Sequence, residues 1–392
     1  MARTVYLDNS ATTAICPEAL AKYNEVSNEV FGNPSSLHAL GYEAEKILDE
    51  ARGRILDSVG GKNCKLLFTS SGSEANNLAI IGRALAKDRY RKGMKIITTD
   101  SEHASVREPM LHLKSLGHNV VFIGTRGGVL DFDALMRELT GEVILVSVMM
   151  VNNETGAVYD LPRLSKMIKA KCPEALLHVD ATQGYMKLPF TMNAIGADML
   201  TVSAHKIEGP KGVGALVVRD EVLKQKGLSP IVFGGGQELG LRSGTENVPG
   251  AAAFGVAAML ASRTLSEDAA YMNTLRALLI ERLSGDALSE IHPTLPPRYA
   301  PHILNVTLPS IKSETMLHFL SQAGIYVSSG SACSSNGGGH KSSALIAYGH
   351  SDAEADCSIR ISFSKRNTPD DVHALCDALE DGLSRLARVK RG

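Results

Sequence analysis

Seven short apolar runs spaced along residues 65 to 220, most of them separated by stretches of helical periodicity, limit the fold more tightly than any other feature. They are Lys65–Thr69, Lys95–Thr99, Asn119–Ile123, Val143–Val148, Ala175–Val179, Asp198–Val202 and Val213–Val218. Between them, stretches such as 74–91, 103–116 and 161–171 carry apolar residues at helical spacing. Strand and helix alternating in this way imply a mostly parallel sheet covered by helices on both faces. Ahead of it, Leu40, Ala44, Ile47, Leu48, Ala51, Ile55, Leu56 and Val59 mark one face of a helix that Gly60 and Gly61 end.

After residue 250 the alternation loosens. An alanine-rich helical run (251–262) leads to a second helical segment (267–284), a proline-rich link (293–301), a strand at 303–308 and a final amphipathic helix from Pro369 to Arg388. A chain of 392 residues is long for one domain. The expected division is a large domain over 15–255 and a smaller α+β domain formed by 1–14 and 256–392. With 41 basic and 42 acidic residues, nothing predicts an affinity for nucleic acid or an anionic membrane. The N-terminus lacks the apolar core of a secretory signal, and no run is expected to span a bilayer, so the expected location is cytoplasmic. Six scattered cysteines without a C-x-x-C pair or zinc-ligand histidines predict no metal site and no disulfide framework.

Candidate chemistry collects after the strand-like runs. Ser203-Ala-His-Lys206 places a lysine just past a strand end, where it can hold an aldehyde cofactor as a Schiff base. A strand-end lysine is more often a surface charge, and Lys211 is a rival of lower rank. Thr69-Ser-Ser-Gly-Ser-Glu-Ala-Asn76 joins a strand to a helix start, which suits either a helix cap or an anion site. Asp180 closes another strand and can keep a pyridine nitrogen protonated, with Gln183 near a phenolic oxygen; a turn or cap is the plainer role. His103 follows a further strand and can stack on a ring or shuttle protons. Cys333 sits in Ser328-Ser-Gly-Ser-Ala-Cys333-Ser-Ser-Asn-Gly-Gly-Gly339, among small residues that would not bury it. A thiol on such a glycine-rich loop can travel, which suggests that it takes sulfur from a substrate.

In that order these motifs resemble the cysteine desulfurases, fold-type I pyridoxal phosphate enzymes, and specifically the group serving iron–sulfur cluster assembly. The resemblance runs nearly end to end. It covers Tyr6-Leu-Asp-Asn-Ser-Ala-Thr-Thr13, Gly32-Asn-Pro-Ser-Ser-Leu-His38 and Asn152-Asn-Glu-Thr-Gly156, then Ser203 to Lys206. It continues through Gly234-Gly-Gly-Gln-Glu-Leu-Gly-Leu-Arg-Ser-Gly-Thr245, Ser329-Gly-Ser-Ala-Cys333 and Ile359-Arg-Ile-Ser-Phe363.

The resemblance implies a large, mostly parallel seven-stranded sheet domain and a small α+β domain carrying the nucleophile loop. It implies that Lys206 carries pyridoxal 5'-phosphate, Asp180 pairs with the ring nitrogen, and His103 stacks on the ring. Gln183 and Asn153 would contact the cofactor; Gly72, Ser73, Ser203 and His205 would hold its phosphate. Thr245 would reach the phosphate of a neighbouring subunit's cofactor, which implies a homodimer. Arg360, with Asn153, would bind the carboxylate of L-cysteine. Lys206 would remove the Cα proton. The Cys333 thiolate would take the sulfur as a persulfide, its own proton going to His103 or the substrate amine, and pass it to an acceptor protein such as an iron–sulfur scaffold. Two departures stand out: Ser71 and Ser73 replace the glycine and threonine of the family's usual Thr-Ser-Gly-Ala-Thr-Glu, and three glycines follow Cys333. Selenocysteine lyase or aminotransferase activity on the same fold, or a non-enzymatic scaffold, are the competing readings. Retention of Lys206, Asp180 and Cys333 weighs against the scaffold, and Cys333 against the aminotransferase.

Overall fold

The computed structural model describes residues 4–86, 94–309, 311–329 and 342–389. The chain opens with strand β1 (Val5–Tyr6) and helices α1 (Pro17–Glu29) and α2 (Ala39–Ser58). The alternating region follows as β2 (Cys64–Thr69), α3 (Gly72–Ala84), β3 (Lys95–Thr99), α4 (Ala104–Ser115), β4 (Asn119–Ile123) and α5 (Phe132–Glu138). It continues as β5 (Val143–Met149), α6 (Leu161–Lys171), β6 (Leu176–Asp180), α7 (Met192–Ile195), β7 (Met199–Ser203), β8 (Gly214–Arg219) and α8 (Asp220–Lys224). The long helix α9 (Val248–Leu283) leads to β9 (His292–Thr294), β10 (Ile303–Thr307), α10 (Ser313–Gln322), β11 (Ile325–Tyr326) and β12 (Ser328–Ser329). The last elements are α11 (Ser343–Tyr348), α12 (Asp352–Asp356), β13 (Ser358–Ser362) and α13 (Pro369–Val389).

All seven expected runs are strands, each within about a residue of its expected bounds. They form one sheet in the order β2-β8-β7-β6-β5-β3-β4, parallel except for β8, which runs against both its neighbours. Side chains alternate across such a sheet. In β2, Leu66 and Phe68 enter a core that also holds Ile55 of α2 and Leu164 of α6. Leu67 between them enters the opposite core, with Leu78 of α3 and Met110 of α4. Every residue of β5, an interior strand between β6 and β3, is buried, which is why its sequence reads as a continuous apolar run.

A separate antiparallel sheet, β12-β13-β10-β9, has its own core, to which α9 contributes Met272, Leu275 and Leu279 and the N-terminal segment contributes Val5 and Leu7. β1 pairs in parallel with β11. The N-terminal segment therefore crosses from this second core to the large sheet near residues 8–13.

Three expectations change. The two helical segments expected at 251–262 and 267–284 are one 36-residue helix, because no glycine or proline lies between them to break it. That helix is long and apolar enough by composition to cross a bilayer, where no such run was expected, yet 56% of its most apolar window is buried inside the protein. The proline-rich link begins as a strand, since β9 is at a sheet edge and an edge tolerates Pro293.

Close approach of α9 to α2 rests on Gly255. A Cβ there would lie 2.9 Å from the Ala51 Cα, a backbone atom that cannot swing aside. Gly255→Ala is expected to lower stability by about 1–3 kcal/mol, read as a lower urea midpoint. An unchanged midpoint would mean that the two helices part without cost.

Candidate active site

A cleft of about 460 Å³ opens where the parallel strands end at their carboxyl termini. The turns after β2, β3, β5, β6 and β7 bring Gly72 and Ser73, His103, Asn153, Asp180 and Gln183, and Ser203, His205 and Lys206 into its wall. Asp8, Ser10 and Ala11 of the N-terminal segment and Ser328 and Arg360 of the second sheet line the rest. Ten sequence-predicted residues, spread over 289 positions from Gly72 to Arg360, thus share one space. Lys211 is exposed, is absent from the cleft lining and is set aside as a rival to Lys206.

Lys206 ends a short 3-10 turn that follows β7. Its Nζ donates to the carbonyls of Ser10 (2.5 Å) and Ala11 (2.8 Å), which aims the amine across the cleft. Asp180, only 6% exposed, accepts from Asn76 Nδ2 at Oδ2 (2.8 Å) and from the Thr182 N–H at Oδ1 (2.9 Å). Two neutral donors hold this carboxylate in place without neutralising it, so it retains its appetite for a cation. Gln183 donates to the Ser10 carbonyl (2.9 Å). His205 is neutral at pH 7: burial, with Lys206 and Lys211 nearby, pushes it down to about 4.

The start of α3 forms an anion cradle. Ser71 caps the helix, accepting from the Glu74 N–H (3.2 Å). A Cβ at Gly72 would stand 3.2 Å from Thr182 Oγ1 and 3.5 Å from Ser203 Cβ, so the backbone itself forms this wall of the cleft. Across it the Ser203 hydroxyl is buried without a hydrogen-bond partner among the described residues. An orphaned hydroxyl facing a helix N-terminus is what a bound phosphate would satisfy. Together with the amine of Lys206 and the uncompensated Asp180, it fits a phosphorylated aldehyde cofactor with a basic ring nitrogen.

Arg360, 7% exposed, lies in the middle of β13. Its Nη1 donates to the Asn153 carbonyl (2.9 Å) and its Nη2 to Asp8 Oδ1 (2.8 Å), while Nε has no partner among the described residues. Cys333 lies outside the described residues. The strand before it, β12, pairs with β13 so that Ser328 stands opposite Arg360 in the cleft. The helix after it, α11, is capped by Ser342, whose hydroxyl donates to Glu154 in the turn beside Asn153. Burial raises that Glu154 carboxyl to about 7. Thr245 is exposed and is not part of the cleft of its own chain.

Four participants were not singled out from the sequence: Asp8, Asn76, Ser105 and Thr182. Asp8 and Asn76 lie inside motifs already noted, but their roles depend on partners 352 and 104 positions away. No local pattern carries that information.

The model of the aminotransferase class-V family matches residues 5–375. A curated relative, cysteine desulfurase IscS 1 of Archaeoglobus fulgidus, is 37% identical over 382 residues, covering 97% of each chain. Among solved structures, a NifS-like protein superposes with a TM-score of 0.89 at 34% identity, covering 97% of this chain and all of its own. SspA in complex with cysteine superposes with a TM-score of 0.77 at 29% identity, covering 93% of this chain and all of its own.

Proposed function

We infer the roles of individual residues from the premise that this chain belongs to the aminotransferase class-V family, as a cysteine desulfurase. The observation that carries the assignment is the convergence of Lys206, Asp180 and Arg360 on the cleft entered by the strand leading to Cys333.

Pyridoxal 5'-phosphate, when bound, supplies an electron-accepting ring that the substrate amine can join. The residues that would hold it are Lys206 at the aldehyde carbon and Asp180 at the ring nitrogen, with His103 on the ring face and Gln183 and Asn153 at its edge. Gly72, Ser73, Ser203 and His205 would take the phosphate. Arg360 binds the carboxylate of L-cysteine and so fixes which substituents of Cα face the amine of Lys206. That amine removes the Cα proton at Nζ. The Cys333 thiolate attacks the substrate Sγ, the bond between substrate Cβ and Sγ breaks, and the carbon skeleton leaves as alanine. Sulfur remains as a persulfide on Cys333, so L-cysteine and one protein thiol give alanine and one persulfide.

The same reading makes the protein a cytoplasmic homodimer that passes sulfur to an acceptor such as an iron–sulfur scaffold. Exposed Phe31, Leu37, Tyr42, Phe233 and Leu239 support a second copy as their cover. Phe233 and Leu239 belong to the segment that carries Thr245, which would then reach the partner's cofactor phosphate.

The test is stoichiometric. With L-cysteine and a thiol reductant, the wild type is expected to give alanine and sulfide in equal amounts, and Cys333→Ser to lose both by at least about 100-fold. Cysteine consumption without alanine, or full sulfide release by Cys333→Ser, would overturn the assignment. Selective turnover of selenocysteine would move it to the lyase.

A further inference from the structure

A chain of hydrogen bonds behind the cleft ties Asp180 to His103 through two residues that have no assigned part in the reaction. Asn76 is 1% exposed, and its Nδ2 donates to Asp180 Oδ2 and to Ser105 Oγ, both at 2.8 Å. An amide nitrogen only donates, so the Ser105 oxygen is the acceptor there and its proton is free to point elsewhere. Ser105 Oγ lies 2.9 Å from His103 Nδ1. The Ser105 backbone N–H also donates to that nitrogen, at 3.1 Å, because His103 is the N-cap of α4. A backbone N–H cannot accept, so Nδ1 carries a lone pair and the hydroxyl points its proton at it.

We propose that Ser105, backed by Asn76, is a positioning residue that locks His103 as the neutral tautomer with its proton on Nε2. His103 then presents a hydrogen-bond donor to the cleft. This deepens the desulfurase reading and rests on it. A neutral imidazole protonated at Nε2 can accept another proton only at Nδ1, and that atom is covered by two donors. His103 is therefore not the group that takes the Cys333 proton. Of the two acceptors considered for that proton, the substrate amine remains, and His103 serves as a fixed donor toward the substrate or cofactor.

The electrostatic surroundings agree with the geometry. Burial lowers the His103 pKa, Asp180 opposes this, and Lys206 and Arg360 across the cleft reinforce it. These are the charged groups the imidazole meets from β6, from the turn after β7 and from β13. The net direction keeps the ring neutral.

The test uses holoenzyme labelled with 15N at histidine, with His103→Gln identifying the resonance. The wild type is expected to show an unprotonated Nδ1 and a protonated Nε2 at pH 7. Ser105→Ala should move the His103 titration up toward the ordinary imidazole value, and with it the acid limb of kcat. It should lower kcat at neutral pH by about tenfold with KM nearly unchanged, and Ser105→Thr should restore all three. Ser105→Ala leaves the backbone cap intact and is expected to fold, with a melting point lowered by only a few degrees because one Asn76 N–H loses its acceptor. A wild-type His103 protonated at Nδ1, or a titration unmoved in Ser105→Ala, would overturn the proposal. Because the tautomer is read without turnover, failure of the wild type to make alanine would instead sink the desulfurase roles.

Discussion

Lys206→Ala is expected to lower alanine formation from L-cysteine by at least about 1,000-fold, the largest effect of any single change in this cleft. In the proposed roles the amine has two separate tasks, holding the cofactor and moving the Cα proton, and among the described residues no second lysine lines the cleft to take over either. Lys211 is exposed outside it, so Lys211→Ala should stay close to wild type. Truncation at 206 also frees the Ser10 and Ala11 carbonyls that the ammonium now bridges. Both belong to the segment that returns to the second sheet, and that segment stays anchored: the Ser10 N–H donates to Ser362 Oγ (2.8 Å) and Gln183 still donates to the Ser10 carbonyl. The fold should therefore survive, and the loss should appear in kcat, with the visible absorption of the bound cofactor displaced from that of the wild type. Alanine formation within tenfold of wild type would remove Lys206 from its role and return attention to Lys211.

Much of this was legible in the chain because strand and turn signals are local. The seven runs of the large sheet were readable because each buried strand is bounded by residues that end it. The residues at their carboxyl ends could be nominated because ligands of such sheets gather there. What stayed hidden depends on distance. Ser105 reads as an ordinary second residue of a helix, and only the fold sets its hydroxyl between Asn76 and His103. The continuity of α9 was missed for the opposite reason: weakly apolar residues 262–267 interrupt the pattern without containing anything that stops a helix.

Arg360→Ala is expected to lower kcat/KM for L-cysteine by about 30- to 5,000-fold, from the 2–5 kcal/mol that truncating one partner of a buried, hydrogen-bonded charge pair costs. The guanidinium already commits Nη1 to the Asn153 carbonyl and Nη2 to Asp8, leaving the buried Nε as its open donor among the described residues. In the proposed role a substrate carboxylate would satisfy that Nε and share or displace Asp8 at the adjoining Nη2, so that binding would be an exchange of one carboxylate for another. Arg360→Lys should recover less than about tenfold of the loss, since a point charge cannot serve three acceptors in one plane. The loss should be confined to substrates that carry the group. Cysteamine, which lacks the carboxylate, should bind the wild type poorly and be little affected by Arg360→Ala. Asp8→Asn removes the competing charge and is expected to lower KM for L-cysteine severalfold if exchange limits binding. If cysteine and cysteamine lose equally in Arg360→Ala, the arginine acts through the Asn153 turn and the carboxylate is bound elsewhere in the cleft.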